Sequence, residues 1–191
     1  RMNGGWGNDN MNGGRGNDNM NGGAGNDLMN GGRGDDRMNG GRGNDNMNGG
    51  AGNDLMNGGR GNDNMDGGWG ADILNGGRGN DNISGGRGND VLRGEAGTDT
   101  LHGGRGNDTM DGGTGNDMFV FAAGFGNDTI SGFDAAPGGG QDLIDLSLLD
   151  IAFADLTITT VAGGTQIAFG ADTIVLQGVN LAAVTATDFI F

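Results

Sequence analysis

Gly22-Gly23-Ala24-Gly25-Asn26-Asp27-Leu28-Met29-Asn30 is followed at once by Gly31-Gly32-Arg33-Gly34-Asp35-Asp36-Arg37-Met38-Asn39. Both nonapeptides place glycine at positions one, two and four, aspartate at six, an apolar residue at eight and asparagine at nine. Units of this form start at Gly4 and recur every nine residues to Gly112, thirteen in tandem within residues 4–121. Position six is always aspartate: Asp9, Asp18, Asp27, Asp36, Asp45, Asp54, Asp63, Asp72, Asp81, Asp90, Asp99, Asp108 and Asp117. Position eight is always apolar, mostly Met, from Met11 through Leu74 and Ile83 to Phe119. Departures are few: Glu95 replaces a second glycine, and Asp35, Ala71 and Thr98 replace the usual Asn at position five.

Composition alone points elsewhere. With 48 glycines in 191 residues and 33% hydrophobic content, the protein would pass for a flexible linker. That reading holds only without a period, and here the period is strict. The net charge of −15 argues against nucleic acid as a partner. Residues 1–105 carry all ten Arg and fourteen acids, whereas residues 106–191 carry eleven Asp and no base. Cysteine is absent, so neither a disulfide nor a thiolate metal site can form. No apolar run has the roughly 20 residues of a membrane-spanning helix. Arg1-Met2-Asn3 fill the last three positions of a unit, so the chain is expected to be cut from a longer array.

The spacing predicts an all-β fold. Three glycines in each six-residue stretch allow a tight turn with positive φ angles. The alternation x-U-x that follows is a short strand with one side chain inward. Two nonapeptides then make one 18-residue coil of a parallel β-roll (β-solenoid), and residue i stacks on i+18. Coils about 4.8 Å apart would bring successive aspartates close together along each edge. A cation between them removes the repulsion, and Ca²⁺, which takes six to eight oxygens, suits carboxylates and turn carbonyls better than Mg²⁺ or Zn²⁺. Thirteen units paired with the next but one imply about eleven shared Ca²⁺ sites. One inward side chain in nine cannot offset an ordering cost of about 1–2 kcal/mol per residue, so metal binding should supply part of the folding free energy.

These residues resemble the RTX (repeats-in-toxin) nonapeptide, a Ca²⁺-binding parallel β-roll repeat. The tail resembles the C-terminal cap of serralysin-type proteases. Gly124-Phe125-Gly126-Asn127-Asp128-Thr129-Ile130 is a degenerate unit that adds Asp128 to the metal-ligand candidates, and Gln141-Asp142-Leu143-Ile144-Asp145-Leu146-Ser147 follows. The sequence ends Thr187-Asp188-Phe189-Ile190-Phe191. The resemblance implies export by a type I secretion apparatus reading a C-terminal signal, an extracellular or cell-surface destination, and folding on calcium outside the cell. The chain thus divides into a roll (1–121) and a β-rich cap with the signal (122–191). Within the cap, Leu156–Val161 and Gln166–Phe169 alternate around Ala162-Gly163-Gly164-Thr165, a hairpin signal, and Thr173–Leu176 and Asp188–Phe191 are further short strands. Pro137-Gly138-Gly139-Gly140 is the break between roll and cap.

Position three holds the remaining candidates. One edge carries Arg15, Arg33, Trp69, Arg87 and Arg105, and the other Trp6, Arg42, Arg60 and Arg78. They are solvated charges balancing nearby aspartates, or a face for an anionic polysaccharide with Arg forks and Trp stacking surfaces. The Asn at position nine are expected to form amide ladders along the axis. An ice-binding face is disfavoured, because Arg or Ala stands where rows of Thr would be needed. Catalysis finds no support: His102 is the one histidine, and there is no H-E-x-x-H, no G-x-S-x-G and no Cys nucleophile. The protein reads as a calcium-binding ratchet, spacer or attachment element of a larger exoprotein, with the C-terminal module of a secreted hydrolase as an alternative.

Overall fold

The computed structural model describes residues 1–135 and 141–191. The proposed break at Pro137–Gly140 lies outside the described residues. Strands β1 (Met2–Trp6) and β2 (Asn10–Arg15) begin a series that continues at nine-residue steps to β13 (Thr109–Thr114). Odd strands stack in parallel in one sheet and even strands in the other. The register is i with i+18, as in Met20↔Met38 and Asn21↔Asn39 on one sheet and Met29↔Met47 on the other. The fold is therefore the expected all-β parallel solenoid, with about seven coils.

The strands are longer than the three-residue x-U-x segments expected from the sequence. They run six residues, from position seven into position three of the next unit, as in Leu28–Arg33 and Arg37–Arg42. Glycine explains the difference. At position one the bare α-carbon faces inward and the backbone stays extended; at position two φ swings to +106° at Gly23 and +111° at Gly41, yet the two remain paired. A Cβ on Gly58, at position one, would run into the Asp63 carboxylate and approach the Gly76 carbonyl. At position two a Cβ on Gly41 would meet the Gly23 carbonyl of the previous coil. Glu95 alone puts a side chain at position two of a repeat, at φ +75°, where its Oε1 accepts a hydrogen bond from Asn75 Nδ2 at 3.1 Å.

The interior is two facing columns of position-eight side chains. Met20, Met29, Met47, Met56 and Leu92 are almost fully buried, and Phe119 and Ile130 continue the columns. The flexible thioether suits an interior only one side chain deep, where shape must adapt to the neighbouring coil. Aromatic rings close the end of the roll: Phe121 and Phe125 pack edge to face at 4.8 Å, and Phe119 lies 6.1 Å from Phe133.

Both sheets continue past β13. β14 (Met118–Val120), β16 (Leu143–Asp145) and β20 (Phe189–Ile190) continue the even sheet. β15 (Asn127–Ser131) and β19 (Asp172–Gln177) continue the odd sheet, which ends in antiparallel β18 (Gly164–Phe169) and β17 (Thr157–Val161). The expected hairpin is β17–β18, with a turn of only Ala162-Gly163 because Gly164 and Thr165 are already paired. No helix among the described residues is long and apolar enough to cross a membrane.

Gly58→Ala, which drives a methyl into Asp63, should cost about 1–3 kcal/mol of folded-state stability, read from the denaturant midpoint. Glu95→Gly should shift the midpoint the other way by about 1 kcal/mol, because strain at a left-handed backbone is relieved.

Candidate metal centre: two aspartate ladders

Each position-six aspartate immediately precedes the strand that follows its turn, and its carboxylate is tucked against the bare α-carbon of its own unit's first glycine. The backbone N–H donates to Oδ1 of the aspartate one coil on. Asp45 N to Asp63 Oδ1 and Asp63 N to Asp81 Oδ1 are both 2.8 Å; on the other edge Asp54 N to Asp72 Oδ1 is 2.7 Å. One ladder runs Asp9, Asp27, Asp45, Asp63, Asp81, Asp99, Asp117; the other runs Asp18, Asp36, Asp54, Asp72, Asp90, Asp108, Asp128. The structure thus brings all fourteen candidates into two columns.

The second oxygen decides the chemistry. In every one of these aspartates except Asp18, Oδ2 is buried and has no hydrogen-bond partner among the described residues. Beside it lies another acceptor: Asp63 Oδ2 and the Gly76 carbonyl both crowd the bare α-carbon of Gly58. Buried acceptors facing one another without a donor carry a desolvation cost unless a cation joins them. Among the described residues, no three His, Cys, Asp or Glu side chains converge. Any ion held here must therefore draw on backbone carbonyls as well as carboxylates. A set of hard oxygens, with neither nitrogen nor sulfur, matches the preference of Ca²⁺.

Burial pushes the carboxyls upward. Asp63, Asp90 and Asp128 rise to about 7, and Asp45, Asp72 and Asp99 to about 6, chiefly through desolvation. The N–H donated by the preceding aspartate pulls each down by less, and neighbouring carboxylates push up again.

Two elements of the ladder escaped the sequence reading. Position-five Asn forms a second ladder of opposite polarity: Asn44 N donates to Asn26 Oδ1 at 2.8 Å and Asn62 N to Asn44 Oδ1 at 2.9 Å. Asp35 does the same for Asn53 N at 2.9 Å, so it serves as a substitute amide rather than a ladder carboxylate. Asp142 ends the first ladder. Its Oδ1 accepts from Asp117 N and its Oδ2 from Asp134 N, both at 2.9 Å, so neither oxygen is orphaned. The signal was the run Asp142-Leu143-Ile144, which copies the aspartate-x-apolar end of a unit but arrives 25 residues after Asp117 instead of 18.

The position-three residues occupy two faces. Arg42, Arg60 and Arg78 stack in register beside a floor of Gly41, Gly59 and Gly77, with Asn39, Asn57 and Asn75 opposite, Trp6 at one end and Glu95 at the other. On the other sheet Arg15 pairs with Arg33, and Trp69, Arg87 and Arg105 stack in order, Arg87 lying 5.2 Å over the Trp69 ring. The Asn ladders at position nine are present in part: Asn39 Nδ2 donates to Asn21 Oδ1 at 2.9 Å, and Asn21 Nδ2 to Asn3 Oδ1 at 3.2 Å.

Comparison with known proteins agrees with this geometry. The model of the RTX calcium-binding nonapeptide repeat matches residues 3–38, 30–65, 49–83, 66–101, 84–119 and 120–136. The protein belongs to that family, and membership implies calcium binding. The R3 subunit of the mannuronan C5-epimerase AlgE6 of Azotobacter vinelandii is similar in structure: 33% identity, TM-score 0.51, covering 64% of this chain and 78% of that one. The R2 subunit of the same enzyme matches at 33% identity and TM-score 0.49, over 64% of this chain and 88% of its own. No curated protein matches.

A carboxyl that is easier to protonate when folded favours the metal-free roll below the ordinary carboxylate range, and that support is lost as pH rises through 6–7. In chelator, acidifying from about pH 8 to about pH 5 should therefore increase strand signal in circular dichroism. With calcium present the order reverses: protons compete, so the calcium midpoint should rise as pH falls. A second prediction separates the two kinds of ladder aspartate. Asp63→Asn should lower the number of calcium ions held in equilibrium dialysis, because it removes an orphan carboxylate oxygen. Asp142→Asn should leave that number unchanged but destabilise the cap by about 1–3 kcal/mol, because an amide donor then faces a backbone N–H.

Proposed function

We propose that this protein is the calcium-folded module of a secreted protein, unfolded where calcium is scarce and ordered where it is plentiful. The observation that carries the reading is the row of buried Oδ2 atoms, from Asp9 to Asp128 with Asp18 excepted, that have no donor among the described residues. Bound Ca²⁺ would supply positive charge between coils, with about eleven shared sites expected from the i to i+18 pairing. The protein's own residues do the rest. The N–H of one aspartate fixes Oδ1 of the next, the glycines let coils approach, and the position-eight columns exclude water. Asp142 and the aromatic residues then terminate the stack.

In this reading residues 1–121 are the calcium-responsive roll. Residues 122–191 are a cap bearing the signal for a type I secretion apparatus, and the module acts as folding ratchet, spacer or surface-attachment element. We assign it no catalytic step. Size-exclusion chromatography tests the ion: millimolar calcium should compact the chelated protein, and equal magnesium should not. Equal compaction by magnesium would overturn calcium as the ligand.

A second reading rests on the Arg42–Arg60–Arg78 stack. Three guanidiniums one coil apart make no ion pair among the described residues, and an extended polyanion with regularly spaced carboxylates would neutralise them. Binding of a polyuronate to the calcium-loaded protein at low salt should fall at least tenfold in the Arg42→Gln/Arg60→Gln/Arg78→Gln variant. No binding by the unaltered protein would remove this reading.

A further inference from the structure

Position nine is not only asparagine but asparagine followed by glycine. The dipeptide recurs at nine-residue steps from Asn3-Gly4 to Asn57-Gly58, and again at Asn75-Gly76. Asn-Gly is the dipeptide whose chemistry is easiest to start. Glycine has no Cβ to shield its backbone nitrogen, and its dihedrals are the freest. That nitrogen can attack Cγ of the Asn amide. A bond forms between the glycine nitrogen and Cγ, the bond between Cγ and Nδ2 breaks, and ammonia leaves, giving a succinimide. Water then opens the ring to aspartate or to isoaspartate, which adds a methylene to the backbone.

In the folded roll this path is closed by three features. Asn and its glycine lie within one strand, as in Asn19–Ala24 and Arg37–Arg42, so the Asn side chain points outward while the glycine points inward. Some of the amides are also held along the axis, Asn39 to Asn21 at 2.9 Å and Asn21 to Asn3 at 3.2 Å. The inward glycine is buried against an aspartate: Gly22 against Asp27 and Gly40 against Asp45. In the unfolded state all three are lost together.

We propose that the Asn-Gly bonds of position nine are spontaneous deamidation sites, closed by coil stacking and opened when calcium is withheld, so that a molecule left unfolded too long can no longer fold. This rests on the calcium-dependent folding proposed above. The column tolerates a carboxylate, since Asp66 accepts from Asn48 Nδ2 at 3.2 Å, so plain aspartate is accommodated. Isoaspartate is not, because an added backbone atom breaks the 18-residue register on which both ladders depend. Chemical change of the unfolded state then makes unfolding irreversible.

The protein holds its own control in the position-five asparagines, every one of which precedes Asp, as in Asn26-Asp27 and Asn44-Asp45. The whole protein would be incubated at mildly alkaline pH in chelator or in calcium, with circular dichroism in parallel, and mapped by mass spectrometry. Deamidation should concentrate at Asn-Gly over Asn-Asp in chelator and be slower in calcium by on the order of a hundredfold. Calcium-recoverable strand signal should fall as isoaspartate accumulates. Asn21→Ser and Asn39→Ser, patterned on the natural Ser84-Gly85, should preserve more of it. Equal rates in calcium and chelator, with circular dichroism showing folded and unfolded protein respectively, would overturn the proposal. If chelator leaves the strands intact, the folding reading fails. The deamidation proposal is then decided in denaturant, where intact Asn-Gly bonds after prolonged incubation would overturn it.

Discussion

The structure depends on how one aspartate uses its two oxygens. Oδ1 accepts the N–H of the aspartate in the previous coil, as Asp63 does from Asp45 at 2.8 Å, and this bond fixes the carboxylate within the turn. In every ladder aspartate but Asp18, Oδ2 is thereby held in the interior with no donor among the described residues. A hydrogen bond that orders the fold thus creates the electrostatic cost that a cation must relieve. Stacking and metal demand arise from the same residue, so neither can be tuned without the other. Burial pushes Asp63 and Asp90 to about 7, which reflects that cost in the absence of positive charge.

Charge is sorted by direction as well as by position in the sequence. Ladder carboxylates turn inward, while the arginines at position three stand outside with no ion pair among the described residues. Surface ion pairs would contribute little to such a roll in any case. The arrangement leaves the carboxylates available to a cation and the guanidiniums available to solvent or to an anion. The cap has no base at all; Asp142 ends the first ladder by saturating both oxygens with backbone N–H groups, while Asp172, outside the ladders, receives Gly126 N at 3.2 Å and Gly124 N at 3.1 Å.

Much of this was legible because the repeat exposes its logic by recurrence. A single Gly-Gly-x-Gly-x-Asp would be an ordinary turn; thirteen in phase defined the coil, the register and the aspartate columns. What escaped depended on hydrogen-bond direction. Asn at position five stood out only as the usual residue there, yet Asn44 and Asn62 pass an N–H to Oδ1 contact from coil to coil, a relation only the stacked backbones reveal. The six-residue strands escaped because glycine at positions one and two reads as a breaker, although here the missing Cβ lets Gly23 and Gly41 pair. Asp142 escaped because an irregular insertion moved it out of phase, while the three-dimensional ladder kept it in place.

The central claim is that the ladder aspartates make folding conditional on calcium. Far-ultraviolet circular dichroism of the chelator-stripped protein through a calcium titration tests it most directly. Little strand signal is expected without calcium, followed by a cooperative rise as calcium is added. A strand signal already complete in chelator at neutral pH, and unchanged by calcium, would contradict it.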